Sequence, residues 1–188
     1  MSIAVELPDE ATLVQYASAA LKEASERSWN ALTHNAISSS ITKQLKTNPN
    51  MFCYYGKPSD KDDCDGRAGS EWGRMFDFCA LFYREPAGRR FLMQAAIVGE
   101  TERNSADEKT DEDFEKLLIA DSIVCFFVCR AKSREEAVRK LDTYQSVIKD
   151  RETYARLRGT RLPRFLLACY IKPQIRTERP PAPEFRTI

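Results

Sequence analysis

The stretch Met75-Phe-Asp77-Phe-Cys-Ala-Leu-Phe-Tyr83 decides the fold, because it is an apolar run with one acid inside it. A second apolar run follows and ends in two acids, Phe91-Leu-Met-Gln-Ala-Ala-Ile-Val-Gly-Glu100-Thr-Glu102. Glu85-Pro-Ala-Gly88 between them is a turn sequence, so Arg74–Tyr83 and Arg89–Glu102 are predicted to pair as a hairpin. After a polar loop at 104–109, Thr110 is predicted to N-cap a helix with Asp113 at the third position. Phe114, Leu117 and Leu118 give that helix its apolar side.

Working outward, Ile123-Val-Cys-Phe-Phe-Val-Cys129 is continuously apolar, the mark of a strand covered on both faces. Ser133 N-caps a further helix, with Glu136 at the box position and Ala137, Leu141, Tyr144 and Ile148 as its inward stripe. Phe165–Ile171 is a last strand, and residues 173–188, with prolines at 180, 181 and 183, form an extended tail beyond a single domain of residues 1–172. Upstream, residues 8–46 have helical periodicity, opening at Pro8-Asp9-Glu10 and stopped by Asn48-Pro49-Asn50, with a break near Ser25–Ser28 or Ser38–Ser40. Met51–Tyr55 is a short strand, and residues 56–73 form an exposed loop. Its Asp60, Asp62, Asp63 and Asp65 miss the calcium-loop spacing: with Gly66 sixth, Lys61 stands first and Trp72 last, where acids are needed. The order helix, three strands, helix, strand, helix, strand predicts an α/β fold of three layers, a mixed central sheet flanked by helices.

A chain of 188 residues, 43% hydrophobic and 30% charged, fits one globular domain. The net charge of +1 gives no overall footprint for nucleic acid, so any such surface must be a local patch offset by acids elsewhere. The first residues lack the basic and apolar regions of a secretion signal, and no window approaches a membrane span. A cytoplasmic protein with no membrane partner is the expectation. Of the six cysteines, Cys79, Cys125, Cys129 and Cys169 lie in apolar runs and are predicted to be buried free thiols. Cys53 and Cys64 complete no C-x-x-C pair, and His34 is the single histidine, so a zinc set is not supported. There is no phosphate-binding G-x-x-x-x-G-K-[ST] and no G-x-G-x-x-G.

The chemistry lies in the acids. Side chains alternate along a strand, so Glu100 and Glu102 point one way, with Cα atoms roughly 6–7 Å apart. Pairing of the two runs brings Asp77 beside Glu100. Clustered carboxylates repel unless something positive stands between them, and Mg²⁺ or Mn²⁺ suits such oxygen donors. A metal held by Asp77, Glu100 and Glu102 lowers the pKa of a bound water and clamps a phosphate. Lys116, in the second turn of the helix that follows, is placed to orient that water or to stabilise charge on the phosphate. Simpler roles stand beside each: Asp77 pairing with Arg74 or Arg90, Glu100 and Glu102 as strand-end acids, Lys116 pairing with Glu112. Arg151, Arg156, Arg158, Arg161 and Arg164 make a basic run, suited either to phosphates or to solvent.

Asp77 on one strand with Glu100-x-Glu102 ending the next resembles the D…(D/E)-x-K signature of restriction-endonuclease-like nucleases. The element order over residues 8–131 resembles their common core. The Gly-Glu-Thr-Glu and Asp-Phe-Glu-Lys-Leu-Leu segments are similar to a group of uncharacterised bacterial proteins of that superfamily. The resemblance implies a restriction-endonuclease-like core and metal-dependent hydrolysis of DNA or RNA, with Asp77 and Glu100 as ligands of Mg²⁺ or Mn²⁺. Glu102 stands where the signature has lysine, and Lys116 then resembles a lysine moved to the following helix. Glu23 and Glu26 are candidates for an assisting acid from the first helix. A non-catalytic module of the same fold, binding a protein partner, is the second reading.

Overall fold

Six strands form one open sheet whose spatial order is the sequence order, and helices pack against both faces. The structure, a computed structural model, describes residues 6–25, 34–55, 75–102, 107–172 and 183–188. In chain order the elements are α1 (Glu10–Ser25), α2 (His34–Leu45), β1 (Met51–Tyr55), β2 (Phe78–Arg84), β3 (Phe91–Thr101), α3 (Asp107–Leu118), β4 (Ser122–Ala131), α4 (Arg134–Leu157), β5 (Arg164–Ile171) and β6 (Glu184–Thr187). β1, β2 and β3 make an antiparallel meander, β3, β4 and β5 run parallel, and β6 returns antiparallel to β5. The α/β class with a mixed sheet is as the patterning predicts.

Alternation along β4 explains the layering. Val124, Phe126 and Val128 enter one core and Cys125, Phe127 and Cys129 the other, all buried. The first core takes Leu13, Ala17 and Leu21 of α1 with Ile37, Ile41 and Leu45 of α2. The second takes Phe114 and Leu117 of α3 with Ala137, Leu141, Tyr144 and Ile148 of α4. Parallel neighbours require crossovers, which α3 and α4 supply, so these two share a face. The thiols of Cys79, Cys125, Cys129 and Cys169 are buried and free. Among the described residues no helix is long and apolar enough to cross a membrane.

Local signals set the helix starts. The Ser133 hydroxyl accepts the Glu136 N–H at 3.2 Å, and the Glu136 carboxylate accepts the Lys132 N–H at 2.9 Å. Asp9 accepts the Thr12 N–H at 2.7 Å and caps α1, which holds its carboxyl below the usual range.

Of the two break points expected in the helical stretch 8–46, Ser38–Ser40 lie inside α2, where the Ser40 hydroxyl donates to Glu23 at 2.6 Å, while α1 is described to Ser25 and α2 from His34. Three expectations change. The third helix begins at Asp107, not after a cap at Thr110, and Thr110 is fully buried within it. The acid at 108, in its first turn, suits the positive end of a helix. β2 begins at Phe78, three residues after Met75. The segment 173–188 is not wholly outside the domain, because Glu184–Thr187 adds a sixth strand, anchored by Arg134–Glu184 at 2.8 Å and by mutual backbone bonds of Phe165 and Ile188. The loop 56–73 with its four aspartates, Cys64, Arg74, Glu26, the His34 side chain and residues 173–182 lie outside the described residues.

Gly99 of β3 marks the closest approach in the sheet. A Cβ built there stands 2.0 Å from Cζ of Phe126, a fully buried ring. Gly99→Ala is therefore expected to lower stability by about 1–3 kcal/mol. Chemical denaturation should show this loss, with partial recovery when Phe126→Leu is added.

Candidate functional site

Register places the acids. Phe78 pairs with Gly99, so Asp77, immediately before β2, abuts the end of β3. One oxygen of Asp77, Oδ2, accepts both the Thr101 N–H at 2.9 Å and the Thr101 hydroxyl at 2.7 Å. The alternative arginine partner, Arg90, is engaged elsewhere: it pairs with Glu85 at 2.6 Å and lies over the Phe52 ring at 4.0 Å. Asp77 thus binds the end of the neighbouring strand.

Glu100 is only 3% exposed and has Lys116 Nζ 3.5 Å from its Oε1. The same ammonium lies 2.5 Å from Asp113 Oδ1. These contacts, and not the Glu112 pairing weighed above, hold Lys116. Because α3 runs Asp107–Leu118, Lys116 lies past its second turn, in the last turn. The negative end of the helix dipole favours an ammonium there.

Burial, and then the field of Asp77, push the Glu100 carboxyl up to about 8, against the opposing pull of Lys116. Asp113 adds to the rise. Burial works against the Lys116 ammonium, but the Asp113 hydrogen bond and the Glu100 field outweigh it and raise its pKa. Burial and Glu100 together raise the Cys79 thiol, placing that thiol within the field of the same carboxyl. Asp77, Glu100, Asp113 and Lys116 are therefore one electrostatic group.

Glu102 is also buried, at 8% exposure, but its carboxylate has Lys109 3.7 Å away, at the other end of α3. Its N–H donates to Val128 of β4 at 2.8 Å. Glu23 lies on α1, in the opposite helix layer from α3, and takes the Ser40 hydroxyl.

Among the described residues no three His, Cys, Asp or Glu side chains are arranged to hold a metal ion. Asp77, Glu100 and Glu102 thus do not make a three-acid cage. Two carboxylates, Asp77 and Glu100, stand together at this strand end, the number with which Mg²⁺ is commonly held alongside waters and phosphate oxygens. Sequence patterning missed Thr101 as the partner of Asp77 and gave Asp113 only a capping role. The i, i+3 spacing of Asp113 and Lys116 was the available signal for the latter. No protein family, curated protein or solved structure matches the chain.

A carboxyl raised from 4.5 to about 8 binds a proton in the folded state that the unfolded chain has lost. In metal-free buffer, stability should fall as pH rises from about 4.5 to about 8 and level off above, by on the order of a few kcal/mol. Glu100→Gln should flatten this fall and leave the protein more stable than wild type at pH 8, as read by urea denaturation.

Proposed function

We propose that the end of β3 is a divalent-metal-dependent phosphodiesterase site on a restriction-endonuclease-like core, acting on DNA or RNA. One observation carries this reading: a buried Glu100 that feels Asp77 and meets Lys116 at 3.5 Å, with Asp77 just before β2, Glu100 on β3 and Lys116 on the following helix. Asp77 and Glu100 would hold Mg²⁺ or Mn²⁺, with Glu102 as a further carboxylate on the same strand end. A bound divalent ion supplies a water of lowered pKa and a clamp for the phosphate. Lys116, fixed by Asp113, presents an ammonium to the phosphate oxygens as charge builds on them. Thr101 holds Asp77 in place by two bonds to one oxygen.

The test uses end-labelled DNA and RNA with Mg²⁺ or Mn²⁺. Wild type should nick one of them, and Asp77→Asn and Glu100→Gln should each lower the rate by about 10²-fold or more. Calorimetry should show Mn²⁺ binding that weakens in Glu100→Gln. Wild type and both variants behaving alike in both measurements would overturn the reading.

A second reading, a non-catalytic module that binds a protein partner, draws on the charge of α3. That helix carries six acids and two lysines, and the second lysine already lies against Glu100 and Asp113. A polyanion approaching over this helix is repelled. A stoichiometric protein complex together with absent Mn²⁺ binding would favour this reading.

A further inference from the structure

We propose that the opposite edge of the sheet, where the parallel strands begin, binds single-stranded nucleic acid. This goes beyond the hydrolytic reading and does not require it. Three arginines surround the β2–β3 turn. Arg84 is the register partner of Phe91, Arg89 lies 5.7 Å from the centre of the Phe91 ring, and Arg90 stacks over Phe52 at 4.0 Å. Among the described residues neither Arg84 nor Arg89 pairs with a carboxylate.

The apolar residues beside them are uncovered on both faces. Phe91, Leu92 and Met93 follow one another on alternating sides of the ribbon, yet they are 46%, 38% and 54% exposed. The ribbon therefore projects beyond the two helix layers that bury the rest of β3. Because β3, β4 and β5 are parallel, the start of β5 lies on this same edge. Arg164 there, and Arg161 just before it, both meet Glu10. These are exposed guanidiniums, and such surface pairs are weak enough to exchange a carboxylate for a phosphate. The basic run seen in the sequence thus lies toward the same end of the sheet, with Arg164 level with Ile97 of β3 and the β2–β3 ribbon extending beyond it.

The chemistry selects the ligand. Guanidiniums recognise phosphates. An exposed ring with a guanidinium beside it takes the face of an unpaired base, and a duplex has those faces already stacked. The patch also lies far from the acids of α3: ten residues of strand separate Arg90 from Glu100, roughly 30 Å. A chain of net charge +1 can in this way present a basic edge.

The experiment measures anisotropy of a fluorescein-labelled 20-nucleotide oligothymidine at low salt, with EDTA present so that nothing is cut. Wild type should bind saturably, and the Arg84→Ala/Arg89→Ala variant should bind at least tenfold more weakly. The slope of log affinity against log salt should fall by about 0.7 for each phosphate contact removed. The Arg84→Lys/Arg89→Lys variant should keep that slope. Phe91→Ala should weaken oligothymidine roughly tenfold and leave duplex binding unchanged. EDTA withdraws the divalent ion that hydrolysis needs, so binding measured this way stands or falls apart from the hydrolytic reading. No saturable binding, equal binding by the double alanine variant, or a silent Phe91→Ala with displacement by poly-L-glutamate would each overturn it; the last outcome would identify an acidic protein surface as the partner.

Discussion

The grip of Asp77 on Thr101 is the contact on which the acid cluster depends. Successive N–H groups along a strand point to opposite neighbours. At the end of β3 the Thr101 N–H turns toward β2, where the ladder ends at the Phe78–Gly99 pair, and Asp77 Oδ2 takes it at 2.9 Å. The next N–H, from Glu102, turns the other way and meets Val128 of β4 at 2.8 Å. The strand end is thus pinned from both sides. Glu100 immediately precedes the two pinned residues, and its side chain lies in the layer of α3, against Lys116. Burial of an acid there disfavours its ionised form, and the fold tolerates this because Lys116 lies against the carboxyl and a proton can neutralise it.

Charge is divided along the sheet in a way that the total conceals. At the carboxyl end of β3 lie Asp77, Glu100, Glu102 and the acidic α3; at its amino end lie Arg84, Arg89 and Arg90. The chain total of +1 hides this division, and the two groups stand farther apart than the screening length of about 8–10 Å at physiological salt. Each end therefore interacts with its surroundings almost independently. Net charge describes solubility and long-range drift, whereas local potential describes what each end attracts.

Much of the architecture was legible because burial imposes simple periods. The seven-residue apolar run 123–129 became the central strand β4, and the stripe Ala137, Leu141, Tyr144 and Ile148 became the buried side of α4. Ser133 and Glu136 announced a helix start through local bonds that need no tertiary partner. The pairing of the two runs brought Asp77 toward the end of β3, but two register shifts, between Ala80 and Leu81 and between Phe82 and Tyr83, set it beside Glu100. What stayed hidden depended on distant residues. β6 contains Glu184-Phe-Arg-Thr187, which alternates polar and apolar weakly, and its strand state comes from the backbone of β5 and from Arg134 on α4. Thr110 resembles a cap in sequence, yet the core of the second face takes it in and the helix begins upstream. Thr101 carried no signal, since a threonine beside an acid is ordinary in any strand.

The position of Lys116 shows how a cation reaches the acid cluster without standing on the strand beside it. On the strand, the residue two beyond Glu100 is Glu102, whose N–H is drawn to β4 and whose carboxylate lies near Lys109. A lysine at 102 would share the α3 side of the strand with Glu100, but it would approach along the strand from a neighbouring position. A lysine on the last turn of α3 reaches Glu100 from the facing layer instead, and the helix's own carbonyl end stabilises the ammonium there. Asp113, one turn earlier, fixes its direction. That arrangement needs α3 to end soon after Lys116, and it ends at Leu118, so the carbonyl end of the helix lies beside the ammonium that faces the buried carboxyl of Glu100.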